Sequence, residues 1–313
     1  MKRVMKFRKI FIGLLLVTIF LAGCAVGGRT SYDKDYFAKI TDDLNREVVI
    51  DNKPQRIVSL APSHTETLFA LKAGNRIVGV TEYADYPQEA NKLDKIGTIK
   101  EPNVEKIIKL QPDLVLAAGI TPKEVITRLS ELGIDVIGLN PKNVSEIIES
   151  ISLIGKVTGQ VKKANTITSE MKNRLEDITE TVDEHIKDNQ RPKVFYEIWR
   201  DPLYTAGPKT FIDDLIHLAG GINIAHQAEG MWPQYSFEVL LFENPDVYIA
   251  SQHSWKHQVS KESILQRKRF QQIKAIKNKR VYIIDQDIVN RASPRIITAL
   301  EKIAKAVHPK LFN

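Results

Sequence analysis

Between Gly159 and Ile186 the chain has no proline, and no glycine after its first residue. The apolar residues Val161, Ala164, Ile167, Met171, Leu175, Ile178 and Val182 recur there every three or four positions, the period of one helix face. At 1.5 Å per residue such a helix is about 40 Å long. On either side of it strands and helices alternate. The first side reads as strands at 56–60, 76–80, 113–117 and 134–139. Between them come helices at 63–72 and 104–110, one opening at Thr121-Pro122, and one capped near Asn143. The rhythm restarts after 189–192, with strands at 193–198, 246–250 and 280–284 and helices at 210–219 and 294–307. This alternation predicts an α/β fold with mostly parallel sheets, two such units being joined by the long helix.

An internal repeat supports that division. Asn103-Val104-Glu105-Lys106-Ile107-Ile108 runs into Pro112-Asp113-Leu114-Val115-Leu116-Ala117. Ser236-Phe237-Glu238-Val239-Leu240-Leu241 runs into Pro245-Asp246-Val247-Tyr248-Ile249-Ala250 with the same spacing. Each copy has a capping residue, a glutamate two positions later, and a Pro-Asp turn into a buried strand.

The amino terminus sets the compartment. Lys2, Arg3, Lys6, Arg8 and Lys9 precede thirteen uncharged residues, Ile10 to Ala22, whose last two open the stretch Leu21-Ala22-Gly23-Cys24. That run falls short of the roughly 20 residues that span a bilayer, so it reads as a secretory signal. It resembles a bacterial lipoprotein signal, in which Cys24 is lipidated and becomes the new N-terminus. The signal, residues 1–23, carries five of the 45 basic residues, and its removal leaves 40 against 38 acidic ones. A near-neutral chain without a basic patch excludes nucleic acid as a partner. Cys24 is also the only cysteine, so no internal disulfide forms and stability must come from burial. The expected divisions are a tether with an N-terminal hairpin at 24–53, an N-terminal lobe at 54–157, the connecting helix at 158–190, and a C-terminal lobe at 191–313.

Several motifs resemble the cobalamin-binding proteins of bacterial ABC importers, within the wider class that binds cobalamin, haem and iron-siderophores. They are the stretch Pro54 to Ser63, the helix from Glu66 to Gly74, Tyr83-Ala84-Asp85-Tyr86-Pro87, Pro112-Asp113-Leu114-Val115 and Arg291-Ala292-Ser293-Pro294-Arg295-Ile296. The likeness runs from Pro54 to the C-terminus. It implies two Rossmann-like α/β lobes joined by one long rigid helix, the class III periplasmic-binding-protein architecture, with the ligand in the cleft between lobes. The implied protein is a monomeric, lipid-anchored receptor on the extracytoplasmic face of the cell membrane. It hands its small-molecule ligand, a cobalamin-like corrinoid, to the permease, and needs no cofactor of its own.

The same resemblance implies roles for single residues. Tyr83 would stack on the macrocycle from the N-terminal lobe and Trp232 from the C-terminal lobe; each is otherwise a loop aromatic. Asp287 and Arg291 would reach the amide-bearing edge of the corrin, or else form a plain surface ion pair. Ser63 stands with them at the start of the first helix. Ile99 occupies a position where cobalamin proteins carry a tryptophan, and it offers no π face; this departure weakens the case for cobalamin and leaves that for a binding protein intact, the alternative ligand being an iron-siderophore or haem. Glu105 and Glu238 would be the two docking points for arginines of the permease, and each also suits the first turn of a helix through its dipole.

Other chemistries have less support. His253 and His257 would share a helical face, but no acidic third ligand follows until Glu262; His64, near the presumed cleft mouth, is a candidate ligand contact or a cap-region residue. No nucleophile elbow, phosphate loop, zinc-protease pattern or dinucleotide fingerprint is present, so the expectation is a binding protein rather than an enzyme, with no metal site.

Overall fold

Two parallel sheets, one on each side of a 25-residue helix, organise the chain. A computed structural model describes residues 36–252 and 259–312. The signal, Cys24 and the start of the tether lie outside the described residues. The description opens with a hairpin, β1 (Ala38–Thr41) and β2 (Glu47–Ile50), paired antiparallel. Its turn is built around buried Asp42, whose carboxylate accepts from the Leu44, Arg46 and Gly138 N–H groups and from the Arg46 guanidinium. Burial opposes that charge, but the Arg46 guanidinium and the N–H donors outweigh it and hold the carboxyl below its usual range.

The first sheet comprises β3 (Ile57–Ser59), β4 (Ile77–Val80), β5 (Leu114–Ala118) and β6 (Asp135–Leu139), in the order β4-β3-β5-β6 and all parallel. Its helices are α1 (Pro62–Ala70), α2 (Val104–Lys109), α3 (Lys123–Glu131) and α4 (Val144–Val157). Strands buried on both faces read as continuous apolar runs, and Leu114 to Ala117 is one, fully buried along its length.

The helix α5 (Val161–His185) follows, about 37 Å long at 1.5 Å per residue. It packs on α4 and, beyond the connection, on α6 (Phe211–Leu218) and α11 (Ile296–Val307). One apolar cluster continues from Ile57, Leu114 and Ile137 through Ala164, Met171 and Ile178 of α5 to Val194, Ile249 and Leu300. Spreading the halves would expose that surface at a cost of about 25 cal/mol per Å2.

The second sheet is built from β7 (Lys193–Trp199), β8 (Tyr204–Thr205), β9 (Ile222–Asn223), β10 (Val247–Gln252) and β11 (Val281–Asp285). Its order is β11-β10-β7-β8, with β9 also on β7 and β8 the antiparallel member. The remaining helices are α7 (Phe237–Glu243), α8 (Lys261–Leu265), α9 (Lys274–Lys277) and α10 (Gln286–Val289).

The sequence repeat has a three-dimensional counterpart. Asn103 caps α2 by accepting from Lys106 N–H, and Ser236 caps α7 by accepting from Val239 N–H. Gln111 and Asn244, just ahead of the two Pro-Asp pairs, are both left-handed, with φ of 48°. The Asp113 carboxylate accepts from the N–H groups of Gln55 and Arg56 ahead of β3, and that of Asp246 accepts from Lys193 N–H at the start of β7. Each Pro-Asp therefore sets the register between a following strand and its sheet's central strand.

Two helix starts differ from the sequence reading. Thr121 does not cap α3: its hydroxyl accepts from Ala118 N–H at 3.1 Å, closing the turn after β5, and Pro122 takes the cap position. The last helix begins at Ile296 rather than Pro294, because Ile296 N–H bonds to Ser293 in a preceding turn. Among the described residues no helix is long and apolar enough to cross a membrane.

Candidate functional site

The carboxyl ends of the two sheets meet through Arg291. Its Nη2 lies 2.7 Å from Asp287 on its own side, and 2.8 Å from Asp85 and 3.4 Å from the Tyr83 carbonyl in the loop after β4. Asp287 and Arg291 thus form a part-buried bridge between halves rather than a surface pair. Burial pushes the Asp287 carboxyl up, against the pull of Arg291. The Arg291 side chain is only 10 % exposed, and its Nη1 is buried without a hydrogen-bond partner.

A second polar junction stands beside it. Buried Glu66 of α1 accepts from Arg295 Nε at 2.6 Å, Arg295 Nη2 at 2.7 Å and Ser293 Oγ at 2.6 Å. The Arg295 guanidinium also covers the Tyr86 ring, 3.8 Å from its centroid. Burial opposes the Arg295 charge, yet the Glu66 carboxylate outweighs it and raises the guanidinium above its ordinary value.

In open α/β sheets ligands sit outside the carboxyl ends of the strands, and several exposed apolar side chains stand there. Tyr83, 47 % exposed, follows β4. Half-buried Ile99 is brought beside that loop by the Glu82 N–H to Gly97 carbonyl bond at 3.0 Å. Exposed Ile120 follows β5. In the second half, Trp199 ends β7 and is 45 % exposed, and Trp232, 41 % exposed, lies in the loop between β9 and α7. That loop is fixed by bonds from Gly207 N–H to the Met231 carbonyl at 2.8 Å and from Thr205 N–H to the Pro233 carbonyl at 3.2 Å. Gly207 permits the approach, since a Cβ there would stand 2.4 Å from the Gly230 carbonyl. Trp199 pairs with Tyr204, and Tyr204 with Gln234, so both tryptophans belong to one sheet edge. Ser63, partly exposed, is the second residue of α1.

The sequence reading missed Trp199, Ile120, Asp85 and the Glu66–Arg295 junction. The signal for Trp199 was present: β7 continues one residue beyond Ile198, which carries the tryptophan to the strand's carboxyl end. The Glu66–Arg295 pair joins residues 229 positions apart, and no local pattern announces it.

His64 is not at a cleft mouth. It is buried, and burial depresses its pKa from 6.5 to about 4, so it is neutral at physiological pH. Between these values only the unfolded chain binds the proton, so stability falls as pH drops through 6.5. We expect a loss of about 2–3 kcal/mol between pH 7 and pH 4.5 in urea unfolding. His308, also held low by burial, adds to it. His64→Gln should flatten this slope; an unchanged slope would contradict the assignment. His253 and His257 lie outside the described residues, and among those described no cluster of three His, Cys, Asp or Glu side chains suits a metal.

Glu105 and Glu238 are exposed in the first turns of α2 and α7. Glu238 faces Arg269 at 3.6 Å. A separate open groove of about 1430 Å3 runs between the start of α4, at Glu146, and the second half, past Asp213 and His226. It reaches Arg191 and Lys193 at the amino end of β7 and holds none of Tyr83, Ile99, Asp287 or Arg291. Lined by charges of both signs, it extends as far as Met231, Pro233 and Gln234 around Trp232 but leaves out the residues of the Arg291 bridge.

Known proteins are similar to this chain in sequence and fold. The family model described as periplasmic binding protein matches residues 57–288. An uncharacterized ABC transporter substrate-binding lipoprotein of Bacillus subtilis (strain 168), YvrC, is 36% identical over 97% of this chain and 98% of its own. Among solved structures, the periplasmic vitamin B12 binding protein BtuF of Vibrio cholerae is 27% identical, covering 82% of this chain and 98% of its own with a TM-score of 0.72. A possible iron-binding, periplasmic solute-binding protein of Staphylococcus epidermidis is 32% identical over 82% of this chain and 100% of its own, TM-score 0.68.

Proposed function

The chain belongs to the periplasmic binding protein family, as a solute-binding protein of an ABC importer and not an enzyme, and we propose that its solute is a cobalamin-type corrinoid held between the two sheets. The observation that carries this reading is the placement of Tyr83, Trp199 and Trp232, all exposed, at the carboxyl ends of two sheets bridged by Arg291. Aromatic faces bury a flat macrocycle over large area at small entropic cost. Arg291, bonded there to Asp287 and Asp85, is the cation beside which the ligand's amide edge would be held. The similarity to the vitamin B12 binding protein of Vibrio cholerae supports the choice of ligand.

Cys24, outside the described residues, anchors the receptor through lipid to the extracytoplasmic face of the cell membrane, in keeping with the lipoprotein relative. Glu105 and Glu238 meet the permease, and ATP is handled by another chain. A second reading, the same receptor loaded with an iron-siderophore or haem, is favoured by Ile99 and by the Staphylococcus epidermidis neighbour.

The test is a titration of the protein with cyanocobalamin, haem and a panel of ferric siderophores, followed by tryptophan quenching. The expected result is saturation by one equivalent of cyanocobalamin, recovered chemically unchanged. Saturation by a ferric chelate or haem alone would transfer the assignment to the second reading; a converted ligand would contradict the receptor.

A further inference from the structure

Phe242 is the most exposed large apolar side chain among the described residues, at 86 %. It follows Glu238 by four positions on α7, hence on the same helix face, with exposed Val239 alongside. Neither the ligand cleft nor the core accounts for a phenylalanine there. The equivalent helix of the first half repeats the pattern in a weaker form: on α2, exposed Ile108 follows Glu105 by three positions. Both helices run back from the loops at the carboxyl end of a sheet into a Pro-Asp turn. Their amino-terminal glutamates therefore lie toward the end that holds the cleft, where a ligand would be handed over.

The chemistry of the complementary surface is written on α7 itself. Arg269 lies with its guanidinium 4.4 Å from the centroid of the Phe237 ring and 3.6 Å from the Glu238 carboxylate. Both members of that ion pair are more than two-thirds exposed, with side-chain exposures of 71% and 77%. An exposed pair of this kind contributes little stability and is readily exchanged for a guanidinium from outside. The face thus accepts a cation at Glu238 and leaves an apolar ring beside it uncovered.

Resting on the receptor reading above, we propose that Phe242, supported by Val239 and Glu238, is the apolar anchor by which the second half docks on the extracytoplasmic surface of the importer's permease. That surface presents an arginine or lysine beside an apolar pocket. Ile108 beside Glu105 is the weaker counterpart, so the two docking points, equivalent in fold, are unequal in strength. The carboxylates steer and orient the encounter, while a buried aromatic sets the lifetime of the complex.

The experiment is site-specific photo-crosslinking in intact cells on the full lipid-anchored chain. The photoreactive residue is p-benzoylphenylalanine at position 105, 108, 238 or 242, and captured partners are identified by mass spectrometry. Positions 242 and 108 are expected to capture a polytopic ABC permease. Phe242→Ala should reduce the yield from position 238 about tenfold, and Ile108→Ala that from position 105 about threefold. Because both side chains are exposed, the variants should melt as the parent does. Capture of the permease at 238 but not at 242, with Phe242→Ala without effect, overturns the anchor and leaves the receptor intact. Capture of a second copy of this chain at 242 also overturns it. No permease at any of the four positions overturns the receptor reading as well.

Discussion

Glu66→Ala should destabilise the protein by about 3–5 kcal/mol, because it leaves the Arg295 guanidinium part-buried at the junction without its carboxylate. Two hydrogen bonds from Arg295 and one from Ser293 end on that single buried group. Their loss exceeds anything a surface ion pair could cause. For a chain of this size each kcal/mol moves the melting temperature by roughly 2–4 °C, so calorimetry should show a fall of at least about 6 °C. Replacing both partners with apolar residues, Glu66→Leu with Arg295→Met, should recover most of the loss, since no charge is then stranded. A single-variant loss below about 1 kcal/mol would show that solvent, not Glu66, compensates the arginine.

Trp232→Ala and Trp199→Ala should each weaken cyanocobalamin binding strongly. If the ligand covers about 100 Å2 of each ring, burial at about 25 cal/mol per Å2 gives about 2.5 kcal/mol, roughly a 70-fold rise in Kd. The two rings stand on the same sheet edge, linked through Tyr204 and Gln234. If both face the ligand they share one surface, and the double variant should lose less than the sum of the singles. Neither side chain belongs to the buried core, so thermal stability should change little. Calorimetric titration separates the cases: an unchanged Kd in Trp199→Ala would remove that residue from the cleft and leave Trp232 in it.

The fold was readable because its signals are local. Proline- and glycine-free periodicity marks α5, apolar runs mark β5 and β10, and Asn143, Thr210 and Ser236 each cap the helix that follows. The two-residue strands β8 and β9 and the short helices α8 to α10 are too brief for any period to register. Thr121 deceived for a related reason: a threonine before Pro122 suits a helix cap, but its hydroxyl closes the preceding turn instead. The site was legible in pieces. Tyr83 and Trp232 stand exposed on loops at the carboxyl ends of the sheets, and Arg291 reaches beyond Asp287 to Asp85. That contact joins residues 206 positions apart, as Glu66–Arg295 joins two others across the same junction. Such pairs exist only once both sheets are formed. His64 looked like a cleft residue because it opens the first helix, yet the face it occupies is buried.

The location of the ligand is given by the position of cobalt, found by anomalous diffraction in crystals grown with cyanocobalamin. A single cobalt is expected between the carboxyl ends of the two sheets, with the corrin against Tyr83 and Trp232 and its amide edge at Arg291. A cobalt in the groove beside His226 and Asp213, or none at full saturation, would contradict it.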